Sequence, residues 1–274
     1  MKEKYIAFHN TNVFYKTIGT GLPVVLIHGF AEDSNIWENQ VEFLKDRFLL
    51  ILPDLPGSGR SSFINNDNIG IAGYAEVIRQ ILLAEQIEQC IMIGHSMGGY
   101  ITLAYAEKYP ESLLSFGLFH SSAYADDEIK VETRKKAIEF IKKNGSGAFL
   151  KTSIPGLFYS PLSVRPLEVA RHLVVRQVDS LIEKGKSFSP EALIQYYKAM
   201  IARPDRTRIL RKTALPVLLI MGEHDKAVPF KHSLEQSHIP YRSYIHVLRK
   251  SAHMGMLEEP GISNEILANF LLNQ

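Results

Sequence analysis

The sequence predicts an α/β protein with a mostly parallel central sheet, helices on both faces and a helical insertion. Short, continuous apolar runs, typical of strands buried on both faces, alternate with amphipathic stretches typical of helices. This alternation stops between residues 122 and 212, where only helical patterns occur, and then resumes. We therefore predict a core formed by residues 1–121 and 213–274, with a helical cap or lid inserted at 122–212.

Six strands and three helices are predicted in the first part of the chain. The runs at 24–27 and 49–52 contain only Val, Leu and Ile, as parallel strands covered by helices do. Asn10-Thr11-Asn12 favours a hairpin between the first two strands. We predict strands at 5–9, 13–18, 24–27, 49–52, 90–93 and 113–119, and helices at 37–44, 74–84 and 100–108.

The predicted insertion contains helical patterns separated by glycine, proline and serine breakers. We predict helices at 128–143, 167–182 and 190–201, then strands at 216–220 and 244–248 and a last helix at 262–272. The insertion holds 18 Lys and Arg residues against 10 Asp and Glu, whereas the remainder holds 13 against 19. Two interpretations stand: helical surfaces are commonly rich in Lys and Arg, or a basic lid attracts anionic substrates.

Composition indicates an ordinary globular protein, with 274 residues, 46% hydrophobic residues and a net charge of +2. The single cysteine, Cys90, excludes an internal disulfide and is expected to be a small buried hydrophobe. The first residues lack an apolar leader, and no apolar run is long enough to span a bilayer. We expect a cytoplasmic protein that binds neither membranes nor nucleic acid and needs no metal or cofactor, because their sequence motifs are missing.

The most informative motif is Gly94-His95-Ser96-Met97-Gly98, which follows a predicted strand and precedes a predicted helix. In that setting a serine occupies a sharp turn above the sheet edge, and the glycines let strand and helix approach closely. The motif also arises by chance, in which case Ser96 is an inert residue in a glycine-bounded turn. The strand and helix on either side favour Ser96 as a nucleophile.

A serine nucleophile needs a base, and the base needs a carboxylate to orient it. On a sheet of this kind the chain order is serine, acid, histidine. Asp225 and His253 each come just after a predicted strand, at the sheet edge where open parallel sheets place their sites. They are the predicted acid and base, with Asp126, Asp127 and Glu223 as rival acids.

An oxyanion formed on the substrate needs two backbone N–H donors. The residue after the nucleophile, Met97, supplies one. The loop after the strand at 24–27 begins His28-Gly29-Phe30, and the N–H of Phe30 is the second predicted donor. We expect His28 to brace this loop, because the donors in such loops are main-chain groups.

Five sequence blocks together resemble the α/β-hydrolase fold family, in its esterase and lipase-like branch with a helical cap. The blocks are residues 28–30, 54–61, 94–99, 222–229 and 251–256, spread over nearly the whole chain. The resemblance implies Ser96 as nucleophile, Asp225 as acid and His253 as base. The serine at the turn departs from dehalogenases and epoxide hydrolases of this fold, which have aspartate there.

The predicted function is hydrolysis of small to medium carboxylic esters by a Ser-His-Asp triad, through an acyl-enzyme. Two alternatives stay open: another reaction on the same triad (carbon–carbon, thioester or amide hydrolysis, or perhydrolysis), and a ligand-binding receptor of the same fold. We expect aromatic and apolar residues of the insertion to line an acyl pocket. These candidates are Phe149, Leu157, Phe158, Tyr159, Tyr196, Tyr197 and Met200.

Overall fold

The computed structural model describes residues 1–65, 69–159 and 168–274, without the side chains of residues 168–173. Eight strands form one sheet in the order β1-β2-β4-β3-β5-β6-β7-β8. The pairs β1–β2 and β2–β4 are antiparallel, and all other pairs are parallel. The strands are β1 (Lys2–Phe8), β2 (Thr11–Ile18), β3 (Leu22–Ile27), β4 (Phe48–Pro53), β5 (Cys90–His95), β6 (Leu113–Phe119), β7 (Val217–Gly222) and β8 (Ser243–Leu248).

Helices connect the parallel strands, as the alternating pattern predicts. They are α1 (Glu38–Leu44), α2 (Ile71–Ala84), α3 (Met97–Lys108), α4 (Glu128–Ser153), α5 (Glu168–Gly185), α6 (Pro190–Ile201), α7 (Thr207–Lys212), α8 (Phe230–Ser237), α9 (Gly255–Glu258) and α10 (Pro260–Leu272). Short 3₁₀ turns span Ser34–Trp37, Pro110–Ser112 and Ile154–Leu157. In the residues that the structure describes, no helix is both long enough and apolar enough to cross a lipid bilayer.

The first hairpin turns earlier than the sequence predicts. β1 ends at Phe8 and β2 begins at Thr11, so the turn is the pair His9 and Asn10 rather than residues 10–12. Both residues have positive φ angles, 44° and 60°. A two-residue turn of this hand matches the twist of the flanking strands, and asparagine tolerates the left-handed region better than most residues.

Residues 122–212, hereafter the helical segment, lie between β6 and β7, and their described parts contain helices and no strand. α4 runs ten residues past its predicted end at 143, with a break at Gly145, whose φ of 83° interrupts the helix. Asp127 and Ser189 cap α4 and α6 by accepting N–H bonds in the first turn, which satisfies donors that a helix start leaves free. The predicted helix at 167–182 is present as α5 from Glu168, while residue 167 lies outside the described residues.

Two side chains of α6 anchor the helical segment to the loop that follows β4. The Tyr196 hydroxyl donates to the carbonyl of Pro56 at 2.8 Å and lies 2.8 Å from Ser58 Oγ. Gln195 Nε2 donates to the Ile64 carbonyl at 3.0 Å. Because these bonds are buried, α6 is held firmly over the carboxyl ends of the central strands.

Candidate active site

Ser96 lies at the junction of β5 and α3, in a strained backbone conformation with φ 51° and ψ −114°. Two glycines make the junction possible. A Cβ added to Gly94 would lie 2.2 Å from the Gly98 carbonyl, and one added to Gly98 would lie 2.4 Å from the Ile27 oxygen. Strand and helix therefore meet more closely than side chains allow, and Ser96 projects from the turn into a large cavity.

Ser96, His253 and Asp225 form a continuous hydrogen-bonded chain. Ser96 Oγ lies 2.9 Å from His253 Nε2, and His253 Nδ1 lies 2.8 Å from Asp225 Oδ2. The other carboxylate oxygen of Asp225 accepts the N–H groups of Ala227 and Val228 at 2.8 and 2.9 Å. Burial alone raises the pKa of Asp225, but the neighbouring histidines outweigh burial and hold it well below its usual range. Asp225 is thus a fixed carboxylate that orients the imidazole.

The rival acids have other partners. Asp126 is bound by the guanidinium groups of Arg134 and Arg203. Asp127 caps α4 through the Lys130 N–H. The Glu223 side chain is exposed to solvent. Asp225 is the carboxylate that the structure brings to His253.

His120 is a further histidine beside Asp225 that sequence analysis did not single out. It follows β6 with a φ of 47°, and its Nε2 accepts the Gly255 N–H at 3.2 Å. Burial lowers the pKa of His120 to about 4, so the ring is neutral at pH 7. Since Nε2 is an acceptor, Nδ1 carries the proton, and Nδ1 lies 3.6 Å from Asp225 Oδ2. His120 therefore presents an N–H to the carboxylate without adding charge.

His95 and Glu32 form a buried ion pair beneath the candidate nucleophile. His95 Nδ1 lies 2.9 Å from Glu32 Oε2, and its Nε2 lies 3.0 Å from the His253 carbonyl oxygen. Burial alone lowers the pKa of His95 and raises the pKa of Glu32. The attraction between the two charges outweighs burial, so the pKa of His95 lies above its usual value and the pKa of Glu32 lies below its usual value. Both ring nitrogens face acceptors, so His95 is an imidazolium that donates twice.

Phe30 and Met97, whose N–H groups are the two predicted donors, lie in the loop after β3 and directly after Ser96. Among the described residues, neither N–H has a protein acceptor. The loop of Phe30 is fixed on both sides: the Gly29 N–H donates to Glu32 Oε2 at 2.7 Å, and His28 Nε2 accepts the Leu55 N–H at 2.9 Å. His28 thus has the bracing contacts expected of it.

Glu258 holds the loop of His253 from the other side. Its Oε2 accepts the N–H groups of Ala252 and Met254 at 2.9 and 3.1 Å, and its Oε1 accepts the Tyr159 N–H at 2.5 Å. Burial and the charge of Asp225 raise the pKa of Glu258 to about 7, against the opposing effect of the three N–H donors. One carboxyl group therefore ties the histidine loop to the helical segment.

A cavity of about 910 Å³ opens above Ser96 and His253. Four of the seven predicted pocket residues line it: Phe149, Leu157, Tyr197 and Met200. The other three lie outside its wall. Phe158 is buried in the hydrophobic core, Tyr159 stacks on His224 at 3.9 Å, and the Tyr196 hydroxyl is bound to the loop after β4.

The missed residues share one signal with the predicted ones, which is position at the end of a strand. Glu32 follows β3, His95 is the last residue of β5, and His120 follows β6. Only Glu258, which lies on α9, has no such signal. Parallel sheets place their sites at the carboxyl ends of their strands, and this rule alone identifies Glu32, His95 and His120 but not Glu258.

Comparison with known proteins agrees with this architecture. The family model of the α/β-hydrolase fold matches residues 23–260. The uncharacterized hydrolase YugF of Bacillus subtilis is 26% identical over 259 residues, covering 90% of this chain and 89% of YugF. Lipase 1 of Psychrobacter immobilis is 25% identical over 268 residues, covering 90% and 82%.

Among solved structures, a thermophilic esterase from Thermogutta terrifontis, with malate bound, superposes with a TM-score of 0.89. The two proteins are 26% identical, and the match covers 100% of this chain and 99% of the esterase. An esterase from Exiguobacterium antarcticum superposes with a TM-score of 0.86 at 21% identity, over 98% of this chain and 99% of that one, and supports the fold alone. With its mostly parallel sheet, its strand-end site and a family match over most of its length, this chain belongs to the α/β-hydrolase fold family.

Proposed function

We propose that this hydrolase is a serine carboxylesterase that cleaves small to medium esters through an acyl-enzyme. The observation that carries the proposal is the hydrogen-bonded chain from Ser96 through His253 to Asp225 at the base of the cavity. Its distances are those of an activated serine nucleophile with an oriented base. Two relatives named as a lipase and an esterase support ester substrates.

Acylation begins when His253 Nε2 takes the proton of Ser96 Oγ as the oxygen attacks the ester carbonyl carbon. The carbonyl oxygen becomes an oxyanion, which the N–H groups of Phe30 and Met97 stabilise. Collapse of this intermediate breaks the bond to the alcohol oxygen, and His253 returns the proton to the leaving alcohol. Asp225 holds the imidazole in the required tautomer and stabilises the imidazolium.

Deacylation repeats these steps with water. His253 removes a proton from water, the hydroxide attacks the acyl carbon, and the second oxyanion occupies the same two N–H groups. Breaking the bond to Ser96 Oγ releases the carboxylic acid, and His253 returns its proton to the serine. The ion pair of Glu32 and His95 keeps the Phe30 loop and the His253 backbone in register throughout.

The helical segment acts in this proposal as a cap that selects the acyl or alcohol group. Its residues Phe149, Leu157, Tyr197 and Met200 supply apolar surface to the cavity that also contains Ser96. Apolar walls with a few polar groups are typical of small-molecule sites. The core, residues 1–121 and 213–274, provides the reacting groups, and the cap determines which acyl or alcohol groups fit the cavity.

Fluorophosphonate labelling followed by mass mapping tests the nucleophile. We expect one adduct, on Ser96, and loss of kcat for 4-nitrophenyl butyrate by about 10⁴- to 10⁶-fold in Ser96→Ala. Ser122→Ala is the matched control, because Ser122 lines the same cavity but contacts neither His253 nor Asp225. Activity of Ser96→Ala near the parent level, or an adduct elsewhere, would refute the proposal.

Steady-state kinetics after the first turnover separates the enzyme from a receptor of the same fold. An esterase releases 4-nitrophenol continuously, whereas a receptor gives one equivalent per protein and then stops. Continuous release with esters and none with matched amides and thioesters supports the ester assignment. A single stoichiometric burst would assign the receptor instead.

A further inference from the structure

We propose that the preferred substrate is an ester that also carries a carboxylate group, which Arg134 and Lys130 bind at the cavity wall. This inference rests on the proposed esterase function and names its substrate class. It concerns the polar side of the cavity, where Tyr100, Asp126, Lys130, Arg134 and Arg203 meet, hereafter the basic wall.

The basic wall contains more buried positive than negative charge. Arg134 Nε lies 2.6 Å from Asp126 Oδ2, and Arg203 Nη2 lies 2.9 Å from Asp126 Oδ1. The Asp126 side chain is 0% exposed, that of Arg203 is 3% and that of Arg134 is 13%. Two guanidinium groups therefore share one carboxylate in a site that water barely reaches.

Lys130 adds a third cation. Its Nζ donates to the Ala227 carbonyl at 2.8 Å, and within the described residues it has no carboxylate partner. The other acidic residues that line the cavity do not neutralise the wall. Glu32 is paired with His95, and three further carboxylates are exposed to solvent, where screening weakens them: Asp127, Asp205 and Glu235. The described part of the wall carries a net charge of +2.

The guanidinium groups of Arg203 and Arg134 differ in how many hydrogen bonds they make to the protein. Arg203 is built into the fold, because it also donates to the carbonyls of Met200 and Tyr124 at 2.7 and 3.0 Å. Arg134 has one good bond, through Nε, and only a long contact of 3.5 Å through Nη2. Its Nη1 has no acceptor among the described residues, so Arg134 retains donors for a carboxylate in the cavity.

The basic wall and the candidate nucleophile line the same cavity. Tyr100 is one helical turn after Ser96 on α3, and the Arg203 guanidinium carbon is 3.9 Å from the centre of its ring. On the other side, Phe30 stacks on Tyr197 at 4.4 Å, and the Arg134 guanidinium carbon is 5.5 Å from the Tyr197 ring centre. A substrate with its ester at Ser96 therefore occupies the cavity that the basic wall lines.

Tyr100 reports the electrostatic potential at this position. Burial alone raises the pKa of its hydroxyl, but Arg203, Lys130 and Arg134 outweigh burial and Asp126, and the pKa ends below its usual value. The same potential favours any anion placed there. One arginine would be enough to neutralise Asp126 if the wall served only to attach α4 to α6. The second arginine leaves an uncompensated buried positive charge, and such a charge destabilises a fold by several kcal/mol. A substrate carboxylate supplies the compensation.

Matched ester pairs test the proposal on the parent enzyme. One pair is 4-nitrophenyl hydrogen glutarate and its methyl ester, with the charge on the acyl side. The other is 4-butyryloxybenzoate and its methyl ester, with the charge on the leaving group. We expect kcat/KM to be about 10- to 100-fold higher for the anionic member of one pair, the gain typical of charged hydrogen bonds. That preference should fall as ionic strength rises from about 0.05 to 0.5 M.

Arg134→Gln and Lys130→Gln should each reduce the ratio of anionic to neutral kcat/KM by about tenfold or more. Lys135→Gln is the matched control, since Lys135 is exposed on α4 and does not line the cavity. It should leave both ester rates unchanged. The ratio compares two substrates on one protein, so partial loss of folded variant does not alter it.

The outcomes separate this inference from the proposed function. Hydrolysis of the neutral esters with no preference for the anionic member of either pair would overturn the inference alone. A preference that Arg134→Gln and Lys130→Gln both leave intact would also overturn it. Absence of hydrolysis for all four esters, together with no fluorophosphonate adduct on Ser96, would instead refute the esterase assignment.

Discussion

At the scale of single residues, a buried carboxylate and a buried histidine connect the loops that form the site. Glu32 binds the Gly29 N–H and His95, and His95 binds the carbonyl of His253. The Phe30 loop, the Ser96 turn and the His253 loop are thereby joined through one buried ion pair. Positioning of this kind matters because small displacements of reacting groups lower rates strongly.

Glu32→Gln should destabilise the fold in a pH-dependent way. The pKa of His95 is raised in the folded protein. The charged ring therefore stabilises the fold fully below pH 6.5, its pKa in the unfolded chain, and this stabilisation is lost as pH rises through the folded pKa. The pKa of Glu32 is lowered, so its part is complete above 4.5 and is lost as pH falls through the folded pKa. The pair contributes fully between these values. Breaking it costs about 3–5 kcal/mol, because a buried imidazolium loses its counter-charge.

Chemical denaturation from pH 5 to pH 9 measures this effect. We expect the free energy of unfolding lost in Glu32→Gln to be largest near pH 5 and to shrink toward pH 9, as His95 becomes neutral in both proteins. Glu42→Gln is the control, since the contact of Glu42 with Lys45 is exposed to solvent. A loss independent of pH would mean that His95 is uncharged in the folded protein.

At the scale of elements, neighbouring residues of α6 divide between anchoring contacts and the cavity wall. Tyr196 points to the loop after β4, whereas Tyr197 and Met200, three residues apart, line the cavity. Adjacent residues of a helix do not face the same way, so Tyr196 and Tyr197 point in different directions, and Met200 lies one turn after both of them. This periodicity explains why the cluster of aromatic residues in the sequence divides between packing and pocket.

Met200→Ala should change the chain-length preference of the enzyme. Shortening this side chain enlarges the cavity beside Tyr197, so longer esters gain relative to short ones by about 1–3 kcal/mol in kcat/KM. A series of 4-nitrophenyl esters from acetate to decanoate measures the preference, and fluorophosphonate labelling measures the nucleophile on the same protein. Ile194→Ala, a change on α6 outside the cavity, is the control. Equal losses for all esters and for labelling would mean that Met200 only supports the fold.

At the scale of the whole molecule, the centre of the sheet could be predicted from sequence because the strands β3 to β7 are mostly buried on both faces, unlike β1 and β8. Runs such as 24–27 and 90–93 are continuously apolar, whereas a strand with one face in solvent alternates apolar and polar residues. The residues Ser96, Asp225 and His253 could be placed together because each follows a strand, and parallel strands end at one edge. The site's position therefore follows from topology.

The supporting contacts could not be predicted, because they join residues far apart in sequence without any local pattern. Glu32 and His95 are 63 residues apart, and Tyr159 and Glu258 are 99 apart. The short helices α7, α8 and α9 were also missed, since four to eight residues give only a weak periodic signal. Only the folded chain shows which polar groups meet.

The strained backbone at Ser96, the proposed nucleophile, lowers the thermodynamic stability of the protein. A residue held at φ 51° and ψ −114° costs about 1–3 kcal/mol, which only glycine avoids. Ser96→Gly should therefore melt at a higher temperature than Ser96→Ala, although neither variant can be acylated. Glycine relieves the strain, and this gain exceeds the cost of about 0.4–1 kcal/mol that the greater conformational entropy of glycine in the unfolded chain imposes. Equal melting temperatures would mean an unstrained turn. If Ser96 is the nucleophile, the protein gives up local stability at this turn in return for activity, and the stability of the surrounding sheet allows it to do so.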